Sequence, residues 1–153
     1  MSSTNHIIWH QLATESPAER IDRLNKELHR IFFDGKPCHK ICPSSWFEPT
    51  HDIICRICGA RADDYLELKH STPPFFESLD AMQLVIESGK FAEVREEFDH
   101  WLSKERHECT IFLYGQIGSG IYFREKGASR QEAFYLTALK AMGYTVVMEG
   151  HTT

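Results

Sequence analysis

Four cysteines fall within one short window of the sequence as two close pairs. The first pair is spaced CxxxC and the second CxxC, with twelve residues between the pairs. Each pair can supply two thiolates from one tight turn, and the loop between them lets the turns face each other, as tetrahedral zinc requires. Because the first spacing is slightly loose, a histidine can replace one thiolate. The predicted ligands are Cys38, Cys42, Cys55 and Cys58, with His39 and His51 as alternates.

Other interpretations of these thiols are four ordinary buried side chains or two disulfides. The segment Met1 to His10 has no basic stretch followed by an apolar one, so it lacks the pattern of a secretory signal. We therefore expect a reducing cytosol, which favours metal over disulfides. A zinc ion closed off by four protein ligands is structural. The remaining thiol, Cys109, lies in an apolar run and is predicted to be a small core residue.

A glycine-rich segment at 115–120 is the second stretch that could carry chemistry. Its GxxGxG pattern is neither a Walker loop nor a Rossmann fingerprint, which would open a helix after its strand. A flexible turn between two strands is the first interpretation. The alternative is that small residues let backbone N–H groups approach an anion, with Arg124, Lys126 and Arg130 nearby and aromatic rings as base-stacking surfaces. The candidate ligand contacts are Gly118, Ser119, Gly120, Tyr122, Arg124, Arg130 and Trp46.

No catalytic constellation accompanies the nine histidines. The sequence has no nucleophile elbow and no oxyanion-hole glycine pattern around a serine. The adjacent carboxylates Glu96 and Glu97 would point about 100° apart on a helix, so they do not form an acid–base dyad. We expect a protein that is not an enzyme. A metal-dependent hydrolase would need an open position in the metal shell.

The charge distribution argues against non-specific binding to duplex DNA. The 153 residues carry a net charge of −5. Residues 1–60 hold seven basic and seven acidic side chains, whereas residues 61–153 hold ten basic and fifteen acidic ones. No Lys/Arg cluster provides the basic face that phosphate neutralisation requires. No apolar run approaches the length that spans a bilayer.

Four segments have apolar residues at helical spacing. Ser16 and Glu19 form a capping box at the start of the first segment, and Ser129 and Glu132 repeat it at the start of the last. Ser78 can cap the second. The predicted helices are Pro17–Phe33, Leu79–Ile86, Phe91–Glu105 and Ser129–Met142.

The remaining periodic segments indicate strands, and together with the helices they predict an α+β fold. The small antiparallel sheet is expected to be flanked by helices as an α/β/α-type sandwich. The predicted strands are a short one near Ile53, then Cys109–Tyr114, Ile121–Phe123 and Tyr144–Met148. The predicted parts are an N-terminal helix (1–37), a zinc knuckle (38–64) and a sandwich domain (65–153).

The region from Tyr65 to Met142 resembles the phage ABA sandwich domain, a family found mostly in bacteriophage and prophage genes. Lys69 to Thr72 followed by the helix at 79–85 is similar to the Tyr-Ser-Thr opening of that family, with His70 in place of the tyrosine. The glycine-joined strand pair and the helix at 129–139 are similar to its later parts. A His/Cys-rich knuckle ahead of the domain also occurs in the family. The resemblance implies a sheet faced by helices and a phage origin, but no reaction.

Three functions are compatible with these patterns. We favour a non-catalytic phage or prophage protein in the cytoplasm of a bacterial host, which sequesters a phosphate-bearing nucleotide signal of host defence. The alternative is an adaptor whose zinc knuckle binds a host protein or nucleic acid. The third is the hydrolase with an open metal shell. A homodimer is compatible with exposed sheet edges, although no residue pattern demands one.

Overall fold

The chain has the α+β fold that the sequence predicts. A computed structural model describes residues 5–36, 45–47, 53–55, 58, 60–62, 72–99, 106–115, 120–148 and 151–152. In chain order its elements are β1 (His6–Ile8), α1 (Pro17–Phe33), β2 (Ser45–Phe47), β3 (Ile53–Cys55), β4 (Arg61–Ala62), α2 (Leu79–Ile86), β5 (Glu93–Asp99), β6 (Arg106–Phe112), β7 (Phe123–Gly127), α3 (Arg130–Ala141), β8 (Thr145–Met148) and β9 (His151–Thr152).

The chain divides into two compact units. The first unit joins Met1–Ser16 with Ile86–Thr153, and the second unit is Pro17–Val85. The N-terminal strand thus belongs with the C-terminal half of the chain, whereas the sequence analysis grouped it with α1. Within the described residues, no helix is both long and apolar enough to cross a membrane.

In the second unit, α1 follows its predicted apolar stripe and α2 has its predicted N-cap. The apolar stripe of α1 is buried at Leu24, Leu28 and Phe32. The helix ends where Gly35 takes a φ of +72° and donates its N–H to the carbonyl of His29 at 3.1 Å. At the start of α2, the hydroxyl of Ser78 accepts the N–H of Ala81 at 3.1 Å. The predicted helices Pro17–Phe33 and Leu79–Ile86 are therefore confirmed.

The second unit also holds a small antiparallel sheet in the order β2-β3-β4. Ser45 pairs with Cys55, and Ile53 pairs with both Phe47 and Ala62. The short strand expected near Ile53 is confirmed by β3. This sheet positions the second cysteine pair.

The main sheet of the first unit is antiparallel, with β6 between β5 and β7. The helix predicted over Phe91–Glu105 is wrong, because Glu93–Asp99 forms β5 and pairs along its whole length with β6. Phe91, Val94 and Phe98 also fit the period of a helix, but the ladder to β6 satisfies the backbone of β5 instead. The predicted strand pair is confirmed with shifted bounds, now Arg106–Phe112 and Phe123–Gly127.

A second sheet of the first unit joins the two ends of the chain. Strand β1 pairs in parallel with β8, matching Ile7 to Val146, and β9 pairs antiparallel with β8. Both Ile7 and Val146 are buried, as is Trp9 directly after β1. The predicted strand Tyr144–Met148 is confirmed as Thr145–Met148.

Helix α3 packs on β6 and β7 and also contacts β8. The predicted N-cap is confirmed at its start, where the hydroxyl of Ser129 accepts the N–H of Glu132 at 3.1 Å, whereas the reciprocal bond of the predicted capping box goes to the residue before the cap. The carboxylate of Glu132 accepts the N–H of Ala128 at 3.0 Å and the indole N–H of Trp9 at 3.4 Å. In the middle of the helix, the hydroxyl of Thr137 lies 3.1 Å from the carbonyl of Cys109. These contacts fix the helix over one face of the sheet.

A close contact between helix and sheet is at Gly127, the last residue of β7. A Cβ built on Gly127 would lie 2.6 Å from the amide nitrogen of Ala133 and 3.0 Å from Cβ of Glu132. Atoms at 2.6 Å overlap strongly, so only glycine allows α3 to approach this closely.

We expect Gly127→Ala to lower the free energy of unfolding by about 2 to 3 kcal/mol, because a methyl group at 127 must push the start of α3 away from β7. Urea unfolding monitored by circular dichroism measures the loss. Gly120→Ala is the matched control: its Cβ would meet open space, so only the left-handed φ of +84° is strained. We expect the control to cost about 1 kcal/mol. Equal losses for the two variants would contradict the close contact.

The buried thiol of Cys109 confirms the expectation of a core residue, since it is 1% exposed. Burial, and then the negative charge of Glu96, raises the pKa of Cys109 from 9.0 to about 12. The thiol of the unfolded chain therefore loses its proton first as pH rises. Stability from this group is fully present below pH 9.0 and is lost progressively towards about pH 12.

We therefore expect the free energy of unfolding to fall from about pH 9 to about pH 11, approaching about 1.4 kcal/mol per pH unit once the unfolded thiol is ionised. Urea titrations across this range measure the slope. Cys109→Ala removes the ionisable group and serves as the control, so its slope should be shallower. Identical slopes for both proteins would contradict a buried, protonated thiol at this position.

Candidate functional site

Alternation along β6 separates the two faces of the main sheet. Cys109 and Ile111 are buried and face α3, as the side-chain hydrogen bond between Cys109 and Thr137 shows. Glu108, Thr110 and Phe112 alternate with them and face the other way. We call this second side the open face, because Arg95, Arg124 and Lys126, which belong to it by register, are exposed.

Two arginines lie on either side of Thr110 on the open face. The register pairs Thr110 with Arg95 on β5 and with Arg124 on β7. The guanidinium Nε of Arg124 donates to the hydroxyl of Thr110 at 2.9 Å, and Thr110 is only 4% exposed. This hydrogen bond fixes the direction of the Arg124 side chain.

Each of these arginines also lies over an aromatic ring. The Cζ of Arg95 is 5.0 Å from the centroid of the Phe112 ring, and the Cζ of Arg124 is 5.0 Å from that of Tyr122. Both distances are within the range of cation–π attraction. The two rings are neighbours, with centroids 6.1 Å apart and planes inclined by 50°. We call these four side chains the arginine–ring cluster.

Carboxylates surround the cluster and balance its charge. Glu93 forms an ion pair with Arg95. Glu108 lies 3.8 Å from both Arg124 and Lys126, which is beyond hydrogen-bond distance. The net charge around the cluster is therefore close to zero. Of the two arginines, Arg124 has the weaker contact with a carboxylate.

The structure places Arg130 away from Arg124. Arg130, in the first turn of α3, donates two hydrogen bonds to Glu96, one of them 2.7 Å long. These hydrogen bonds raise the pKa of Arg130. Glu96 pairs with Cys109, and Arg124 pairs with Thr110, so the two arginines belong to opposite faces of the sheet. The two predicted anion contacts are not brought together.

The other predicted ligand contacts are distributed differently. Tyr122 is 48% exposed and belongs to the cluster, and Gly120 precedes it with a φ of +84°. Gly118 and Ser119 lie outside the described residues. Trp46 lies in β2 of the second unit. Arg95, Thr110 and Phe112 are not among the predicted contacts, because their place beside Arg124 depends on the register of β5, β6 and β7.

The second predicted cysteine pair lies at a hairpin turn. Cys55 ends β3, and its N–H donates to the carbonyl of Ala60 at 3.0 Å, which closes the turn that contains Cys58. Cys55 is buried and Cys58 is half-buried. Cys38, Cys42, His39 and His51 lie outside the described residues, and the part of the chain that is described contains no group of three or more possible metal ligands.

Comparison with known proteins gives one partial similarity. A putative protein of Dictyostelium discoideum is 39% identical over 59 residues, which cover 36% of this chain and 5% of that protein. The chain therefore spans only a small part of the length of this relative. No protein-family model matches the chain. No solved structure matches it either.

Proposed function

We propose that the protein is a non-catalytic binding protein that takes a nucleotide-type ligand on the open face of its main sheet. The observation that carries this proposal is the arginine–ring cluster, in which each aromatic ring has a guanidinium 5.0 Å from its centroid. A nucleotide offers the complementary chemistry, because its base has a π-face and its phosphate is an anion. An exposed sheet face with aromatic rings is a known way to hold unpaired bases.

Tyr122 is the stacking surface of this proposal. Tyr122 is 48% exposed although its ring neighbours both Phe112 and Arg124. A base that stacks on Tyr122 or on the Arg124 guanidinium removes apolar ring area from water. Such stacking contributes about 1 to 3 kcal/mol per base.

Arg124 is the phosphate contact. Its guanidinium has five N–H donors. The Nε donor is used by Thr110, and Glu108 at 3.8 Å is too distant for a hydrogen bond. Among the described residues, no acceptor therefore forms a hydrogen bond with the two terminal nitrogens of Arg124. Together these nitrogens can donate hydrogen bonds to two oxygens of one phosphate.

The resemblance to the phage ABA sandwich domain supplies the setting that we propose for this binding. In that setting the protein comes from a phage or prophage and removes a nucleotide signal of the host from circulation. Binding without turnover is sufficient for such a role. Arg130 is not part of the proposed site, because its guanidinium is held by Glu96.

We expect isothermal titration with a panel of mononucleotides, dinucleotides, cyclic nucleotides and cyclic ADP-ribose to give a saturable heat for at least one member. Tyr122→Leu should weaken that binding by about 5- to 150-fold, because it removes one stacking ring. Tyr114→Leu is the matched control: Tyr114 is 67% exposed in the same strand connection but contacts no arginine or ring among the described residues. A flat titration across the whole panel would overturn the proposed function.

The charge contribution is tested in the same titration by Arg124→Gln. We expect it to weaken binding at least as much as Tyr122→Leu, since charge-assisted bonds to phosphate are lost. Lys126→Gln is its control, because it also removes a cation from the open face of β7 but contacts no ring. If both substitutions weaken binding equally, general electrostatic attraction is responsible and the cluster is not the site.

We also propose a structural zinc ion at the hairpin turn of Cys55 and Cys58. The turn closed by the hydrogen bond from Cys55 to Ala60 supports this, since a tight CxxC turn can present two thiolates to one ion. Ser45 pairs with Cys55, and Cys42 precedes Ser45 by only three residues. Three residues of chain span at most about 11 Å, so the first cysteine pair can reach the same ion. When bound, zinc would join β2 to the β3–β4 hairpin.

We expect elemental analysis of the purified protein to find one zinc ion per chain, and Cys55→Ser or Cys58→Ser to lower that ratio well below one. Cys109→Ser is the control and should keep its zinc, because Cys109 is a core residue of the first unit. His39→Ala and His51→Ala show whether a histidine replaces one thiolate. A zinc-free wild-type protein, or zinc content that survives both hairpin substitutions, would contradict the site.

A further inference from the structure

The arginine–ring cluster contains two half-sites of the same composition. Arg95 with Phe112 forms one, and Tyr122 with Arg124 forms the other, and each guanidinium carbon is 5.0 Å from its ring centroid. A single nucleotide needs one ring for its base and one cation for its phosphate. It would leave the second half-site unoccupied.

We infer that the ligand of the open face carries two nucleotides joined through phosphate, one base to each half-site. This inference rests on the proposed nucleotide-binding function and specifies the class of ligand. The shared chemistry is a pair of adjacent, linked nucleotides, which a free dinucleotide and a short stretch of single-stranded RNA both provide.

The spacing of the rings supports two separate bases rather than one stack. The centroids of Phe112 and Tyr122 are 6.1 Å apart and their planes are inclined by 50°. Bases that stack on each other are about 3.4 Å apart and parallel. Two bases placed on these rings are therefore splayed, which is how aromatic surfaces hold unpaired nucleotides.

The charge balance explains why both half-sites are needed. Glu93 pairs with Arg95, and Glu108 lies 3.8 Å from Arg124, so each half-site has a competing carboxylate. One phosphate on one arginine therefore has to compete with a carboxylate. Two linked nucleotides add their contacts in a single binding event, and linkage of this kind raises affinity by about 10² to 10⁴.

The test compares 5′-AMP with 5′-phosphorylated ApA and with a ten-residue oligo(A) RNA by isothermal titration. We expect the dinucleotide to bind at least about 50-fold more tightly than AMP with one molecule per chain. Arg95→Gln and Arg124→Gln should each bring the affinity for the dinucleotide close to that for AMP. Arg95→Gln should weaken AMP binding by only about twofold, since the half-site of Tyr122 and Arg124 is intact. Lys126→Gln should change none of these affinities, and circular dichroism checks that every variant is folded.

Equal affinities for AMP and the dinucleotide would overturn the two-nucleotide inference and leave the proposed function in place. The absence of binding by any probe would overturn the proposed function itself. Tighter binding of the dinucleotide supports the inference, and the RNA then identifies the source. The ten-residue RNA contains several overlapping dinucleotide sites, which alone raise its affinity above that of the dinucleotide by the number of those sites. If the measured increase is no larger than this, the ligand is a free dinucleotide. A larger increase in affinity indicates single-stranded RNA.

Discussion

The one-sided burial of the main sheet is the constraint on which the rest of the first unit depends. Helix α3 lies so close to β7 that position 127 has no room for a Cβ atom. Cys109 and Ile111 are thereby enclosed, and the alternate residues of β6 must point outward. On the other face of the sheet, the described residues include two arginines and two aromatic rings in mutual contact.

The local signals of the sequence were sufficient to predict α1, α2 and α3. The capping box of Ser129 and Glu132 and the left-handed stop at Gly143 identify α3 because they act within a few residues of each helix end. The apolar stripe of α1 identified that helix in the same way. In each of these cases the chemistry that starts or ends the element lies inside the element itself.

The strands depended on partners that no local pattern reveals. The segment at 93–99 fits a helical period, and only the ladder to β6 decides its conformation. Three residues of β1 cannot form a strand alone, and they do so here because Val146 and its neighbours in β8 supply the hydrogen bonds. Secondary structure of this kind is determined by contacts distant in sequence, so periodicity alone assigned β5 wrongly.

The same limitation divides the candidate site into a predictable and an unpredictable part. Tyr122 and Arg124 are two residues apart in extended chain at the start of β7, so the sequence could place them side by side. Arg130 is also close in sequence, yet its carboxylate partner Glu96 is 34 residues away and holds it on the other face. Phe112 and Arg95 join the site only through the register of three strands.

The carboxylates on the open face are compatible with anion binding because the arginines are already held in place. An ion pair between exposed side chains contributes about 0 to 1 kcal/mol, whereas ordering a mobile arginine costs up to about 2 kcal/mol. In Arg124 the hydrogen bond to Thr110 and the contact with the Tyr122 ring have already restricted the side chain. A ligand therefore does not bear that entropy cost and competes only with Glu108, which lies 3.8 Å away. In the proposed function, preorganisation of the guanidinium rather than a large positive potential would allow this nearly neutral surface to bind phosphate.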